Sequence, residues 1–231
     1  MIVRKKGYYY VFIKQHDHGL LSGELAAQMT QPIRPLAKTL YAISHHDWGW
    51  ESLDQSPLWN EETNEPYSFE DYPMLPKLEA YTDGIAKVVA HDPYAGFLCS
   101  KHYASFFTNI DDPVARKFRE QEYSRQNKLR PLFTEEEEEN ITANFRLLRF
   151  CDDLSLALCF NEPGEEPNHP WFKDGILYQG ERYQWVWEGR YHLRLIPNLF
   201  KQSFTVEIPY QVFDGYRRLV GRDVYRFTVM V

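Results

Sequence analysis

Cysteine is scarce in this chain: Cys99, Cys151 and Cys159 make three in 231 residues, with no pair spaced CxxC. An odd, scattered set excludes a disulfide framework and a cysteine zinc knuckle, and it suits a reducing cytoplasm. Positive charge is also short. The 26 Lys and Arg stand against 33 Asp and Glu, a net charge of -7. A binder of phosphate backbones needs a basic patch or stripe, and none is present, so nucleic acid is not an expected partner. No apolar run approaches the ~20 residues of a membrane helix. The opening MIVRKKGYYYVFIKQ lacks the apolar stretch and small-residue cleavage site of a signal peptide. A cytoplasmic protein with no membrane partner is expected. Internal repeats are absent too, and the only biased segment is the run Glu135 to Glu139.

Aromatic residues, by contrast, are abundant at 16%, and they belong in a core or at the polar-tipped rim of a cleft. Residues 7–14, GYYYVFIK, have strand composition. From about 15 to 160 the period is helical, through DHGLLSGELAAQM, PIRPLAKTLYAISHHD, KLEAYTDGIAKVVA and PYAGFLCSKHYASFF. Pro32 and Pro35 suit the first turn of the second of these helices. Residues 51–76 carry no period and read as a long loop, of the kind that often forms a lid. The helix over 134–160 opens with a capping box, Thr134 and Glu137, and its acidic run reads as a solvated helix start. After Pro163 the period becomes two, in GILYQG, RYQWVW, YHLRLIP, SFTVEIPY and DVYRFTVMV. The expected fold is mainly α: one domain over 1–231, with a helical body over 14–160 that carries the site. A β-rich appendage over 164–231 would form a small antiparallel sheet, completed by the N-terminal strand. Those aromatic-rich strands would cover either the helical body or a homodimer interface.

The stretch ISHHDWGW, residues 43–50, reads either as part of a metal site or as a polar helix terminus beside aromatics. At about 100° per residue, each polar side chain can be assigned to a helix face. His18 shares a face with Leu21, Leu25 and Met29, whereas His16 points elsewhere with Leu20. Leu36, Leu40 and Ile43 define a stripe that His46 and Asp47 continue, with His45 turned away. Ala95, Leu98, Cys99 and Phe106 surround His102. On the last helix Asp152 falls within the stripe of Ile141, Phe145, Leu148, Leu156 and Cys159. Asp153 projects instead with Arg146 and Arg149, where a surface i,i+4 ion pair is the plain reading. A carboxylate on an apolar stripe needs a partner. Four helices that each turn a His or Asp inward favour a metal site between them. His91-Asp92 is a second dyad, but Asp92 before Pro93 reads as an N-cap, which makes His91 a helix-end residue and a second-rank ligand.

A lone His, then His-Asp, then a distant Asp, here His18, His46-Asp47 and Asp152, resembles the HD superfamily of metal-dependent phosphohydrolases. The flanks QHDHGLLSGELA, SHHDWGW and CDDLSL are similar to an uncharacterised bacterial branch that shares a QHDHxLLSG opening. The resemblance implies an HD-like helical bundle and a site for one or two divalent ions, Mn, Fe, Mg, Zn, Co or Ni. His18, His46, Asp47 and Asp152 would be ligands, and His102 a fifth ligand or the ligand of a second ion. It implies hydrolysis of a phosphate ester on a nucleotide or other small metabolite, with metal-activated water at Asp47. Lys14 and Lys101 would either neutralise phosphate charge or be ordinary surface lysines. A non-catalytic scaffold that retains the metal, or a di-iron oxygenase on the same scaffold, are the other functions this pattern accommodates.

Overall fold

The computed structural model describes all of residues 1–231. Seven helices run through the first two thirds of the chain: α1 (Gln15–Gln28), α2 (Leu36–His45), α3 (Trp50–Leu53), α4 (Met74–His91), α5 (Pro93–Phe106), α6 (Pro113–Leu129) and α7 (Glu135–Cys159). Nine strands surround them: β1 (Ile2–Lys6), β2 (Tyr9–Ile13), β3 (Trp59–Asn60), β4 (Glu65–Pro66), β5 (Ile176–Tyr178), β6 (Glu181–Trp187), β7 (His192–Ile196), β8 (Phe204–Asp214) and β9 (Leu219–Met230). No helix is long and apolar enough to cross a membrane.

The expected mainly α bundle with a small antiparallel sheet is corrected by this structure. Helix accounts for 45% of the chain, and seven strands form one curled sheet in the order β1-β2-β8-β9-β7-β6-β5. Nor is the sheet purely antiparallel, because β7 lies parallel to β9 while the other neighbours alternate. Its size comes from β8 and β9, 11 and 12 residues long. Val206, Ile208, Tyr225, Phe227 and Val229 alternate inward along them, as a sheet with one covered face requires. The N-terminus adds two strands rather than one. Ile2–Lys6 pairs with Tyr9–Ile13 through a two-residue turn, with Gly7 at φ 61, a conformation that glycine adopts without a Cβ clash.

One hydrophobic cluster runs through helices and sheet alike, from Ile2 and Leu25 to Leu193 and Val229. Strands β5 and β6 buttress α7 directly. Tyr178 stacks on Phe150 at 4.2 Å, and the Trp185 indole donates to the Leu154 carbonyl at 3.1 Å. The start of α7 has the expected capping box, with both of its hydrogen bonds formed. Glu137 departs from the solvated reading: it is buried, and its carboxylate also takes the Lys38 ammonium. Asp92 caps α5 through the Ala95 amide, as its position before Pro93 predicts. The stretch over 51–76 is less irregular than expected, since it begins within α3 and carries the β3–β4 hairpin.

Candidate metal centre

Four helical segments bring the inward polar residues together. His18 comes from the first turn of α1, His102 from the last turn of α5 and Asp152 from the middle of α7. His46 and Asp47 stand in the turn between α2 and α3, because α2 ends at His45. The expected stripe on α2 is therefore displaced. Leu36 is 55% exposed, and Thr39, Ala42 and Ile43 make the buried face. His46 and Asp47 are buried because the chain turns there, not because they continue a helical stripe.

Glycines set the close approach of these segments. A Cβ on Gly23 of α1 would lie 1.8 Å from the Ser44 hydroxyl oxygen, so α1 and α2 touch almost backbone to backbone. The turn that carries Asp47 is held similarly: a Cβ on Gly49 would meet the Ala80 carbonyl of α4 at 2.0 Å.

Two imidazole nitrogens face the same two carboxylate oxygens. His18 Nε2 is 3.0 Å from Asp47 Oδ2 and 3.5 Å from Asp152 Oδ1. His46 Nε2 is 3.8 Å and 3.4 Å from the same two atoms. Ligands bound at ~2.1 Å in tetrahedral or octahedral geometry lie about 3.0 to 3.4 Å apart, so this quadrilateral has the dimensions of one coordination sphere. His18, His46 and Asp152 each offer a ligand atom within 4.8 Å of the others. The second oxygen of Asp152 points to a third imidazole, with His102 Nε2 at 3.4 Å from Oδ2.

The outer hydrogen bonds orient both rings and assign their protons. His46 Nδ1 lies 2.7 Å from the Ile43 carbonyl, which can only accept, so Nδ1 is the protonated atom. His46 Nε2 is buried, without a hydrogen-bond partner, and aimed at two carboxylates. His18 Nδ1 lies 2.7 Å from Ser155 Oγ, whose own proton goes to the Asp152 carbonyl at 2.9 Å. Its Nε2 is then turned on Asp47 and Asp152 in the same way. Two lone pairs facing two carboxylates repel unless a positive charge lies between them. A proton or a cation can take that role. Burial alone would depress His46, but the Asp47 and Asp152 carboxylates overcome it and push its pKa up to about 9. Asp47 and Asp152 are held below the usual carboxylate range against burial, chiefly by His46, with the Tyr103 hydroxyl also donating to Asp47. A divalent cation supplies the same positive charge without protonating a ligand, and the donor set fits one. Burial lowers His102 to about 4, which leaves that imidazole neutral, and its Nδ1 has no partner.

The other candidates lie elsewhere. His91 is exposed at the end of α4 and stacks on Tyr41 at 3.9 Å, whose other face takes His45 at 4.1 Å. It is not among the converging residues. Lys14 lines a hollow with Asp17 and Arg222 at the start of α1. Lys101 lies over the Phe145 ring at 5.0 Å, one residue before His102. Asp153 makes no ion pair with Arg149, so the expected i,i+4 pair is absent; its carboxyl is raised by burial and by Asp152 to about 7. Three supporting residues lie outside the set that helical faces pick out: Tyr103, Ser155 and Ser22, whose hydroxyl lies 2.8 Å from that of Ser155. Their spacing was the available signal, since Ser22 follows His18 by four residues and Ser155 follows Asp152 by three.

No curated protein and no solved structure matches this chain. Residues 1–214, nearly the whole length and including every residue of the centre, match the family described as "Protein of unknown function (DUF3891)", and the chain belongs to that family.

Proposed function

We infer that the protein is a metal-dependent hydrolase of phosphate esters on a small metabolite. The observation that carries this reading is the quadrilateral of His18 Nε2, His46 Nε2, Asp47 Oδ2 and Asp152 Oδ1, with His46 Nε2 buried and unpartnered. Its residue order and its origin on separate helical segments agree with the resemblance to the HD superfamily. His18, His46 and Asp152 would hold the cation, with Asp47 beside them. A divalent ion there supplies acidified water near neutral pH and positive charge for a phosphoryl oxygen. The chain's own residues prepare the place. Ser155 and the Ile43 carbonyl hold the imidazoles with Nε2 inward, and the Tyr103 hydroxyl anchors the Asp47 carboxylate. His102, whose Nε2 lies 3.4 Å from Asp152 Oδ2, would be a fifth ligand or the ligand of a second ion.

Purified protein should hydrolyse members of a phosphoester panel, lose that activity with a chelator and regain it with added Mn²⁺ or Co²⁺. His46→Ala should abolish turnover while the helical circular dichroism stays unchanged. Absence of turnover across the panel in metal-loaded protein, together with a large chelator-induced fall in melting temperature, would instead favour a scaffold stabilised by its ion.

A further inference from the structure

The outer face of α7 and the segment 171–182 enclose an open groove of about 1040 Å³, at the upper limit of small-molecule sites. Its charge runs against that of the chain. In a protein of net charge -7, the groove is lined by three arginines, Arg146, Arg149 and Arg182, and a single acid, Asp153. Arg182 is committed locally, donating to the Asp174 and Gly175 carbonyls at 3.0 and 3.1 Å. Arg146 and Arg149 are exposed, one helical turn apart, and neither forms an ion pair or a hydrogen bond within the chain. Lys101 adds a third free cation: its Nζ lies 5.0 Å and Arg149 Cζ 6.0 Å from the centre of the same Phe145 ring. Trp171, 55% exposed, lines the same groove. Exposed guanidinium groups without counter-ions, beside uncovered aromatic faces, form a surface that an aromatic anion satisfies on both counts.

The groove's free cations lie on the same two helices as two residues of the centre. Arg149 precedes Asp152 by one turn of α7, and Lys101 immediately precedes His102. We propose that this groove is the specificity site of the metal centre and takes an organic anion bearing an aromatic ring, with the acidic group on Arg146 and Arg149 and the ring against Trp171. The assignment of the bound anion as substrate rests on the hydrolase reading; the binding itself does not.

The test is calorimetric titration of full-length, chelated protein, in which no turnover occurs, with 1-naphthyl phosphate, inorganic phosphate and 1-naphthol. Naphthyl phosphate should bind more tightly than either fragment. Arg146→Gln/Arg149→Gln should weaken it about tenfold or more, the scale of losing a charge-assisted contact. Trp171→Leu should weaken naphthyl phosphate while leaving inorganic phosphate unchanged. Lys117→Gln/Lys128→Gln, which removes the same charge from exposed positions on α6, should have no effect. The proposal is overturned if the arginine variant binds like the parent, or if the lysine variant loses as much. These results separate the two readings. Groove binding in a protein that retains no metal would sink the hydrolase and keep the site. Metal-dependent hydrolysis with affinity indifferent to Arg146 and Arg149 would do the reverse.

Discussion

His18 and His46 each spend Nδ1 on an outer partner and turn Nε2 toward Asp47 and Asp152. The partners differ in what mutation can reach. Ile43 offers a backbone carbonyl, whereas Ser155 offers a side chain that can be removed. Ser155→Ala frees the His18 ring to rotate or change tautomer, and outer-shell losses of this kind typically cost about 10- to 100-fold in metal affinity. Competition with a fluorescent chelator should show that loss while the far-ultraviolet spectrum stays unchanged. Glu137 gives a pH-dependent prediction at the other end of α7. Burial would raise its carboxyl, but the Lys38 ammonium and the Thr134 cap lower it below its ordinary value of 4.5. A depressed folded-state pKa stabilises above the unfolded value and is lost as pH falls through the folded one. Glu137→Gln should therefore cost about 1 kcal/mol at pH 7, a figure kept small because Lys38 is partly exposed. In urea melts the difference should shrink steadily below pH 4.5.

At the scale of elements, the centre depends on how closely α1, α2 and α4 meet. Gly49→Ala drives a methyl into the Ala80 carbonyl, so the turn carrying His46 and Asp47 must shift. Overpacking of this kind costs about 1–3 kcal/mol, and chemical denaturation together with loss of bound metal should report it. Much of this was legible in the sequence. The faces of α1 and α7 follow from 3.6-residue periodicity, and His18 and Asp152 are buried where Leu21, Leu25, Leu148 and Leu156 are buried. The phase of α2 was not legible, because the helix ends at His45 and the next four residues turn. Strand β1 was missed because IVRKK is short and charged, with its two lysines exposed. The parallel pairing of β7 with β9 joins segments about 36 residues apart, and no local pattern encodes such a partner. Asp153 does share a face with Arg146 and Arg149, as helical phase puts it, but the three line one groove with segment 171–182 and no ion pair forms.

For the whole molecule, helices and sheet share one core, so an ion that ties α1, the α2–α3 turn and α7 together acts on the entire fold. A ligand at 100 times its Kd adds about 2.7 kcal/mol to the native state. For a chain of this size that corresponds to roughly 5–10 °C in melting temperature. Scanning calorimetry of chelated and Mn²⁺-loaded protein should show the shift, and Asp152→Ala should show none of it. The central claim is that His18, His46 and Asp152, with Asp47, hold one cation, and titration of chelated protein with Mn²⁺ by electron paramagnetic resonance tests it most directly. The account predicts at least one tightly bound ion per chain in the parent and in His91→Ala, and its loss in both His46→Ala and Asp152→Ala. Binding that survives in His46→Ala and Asp152→Ala, or a parent chain that takes up no ion, would contradict it.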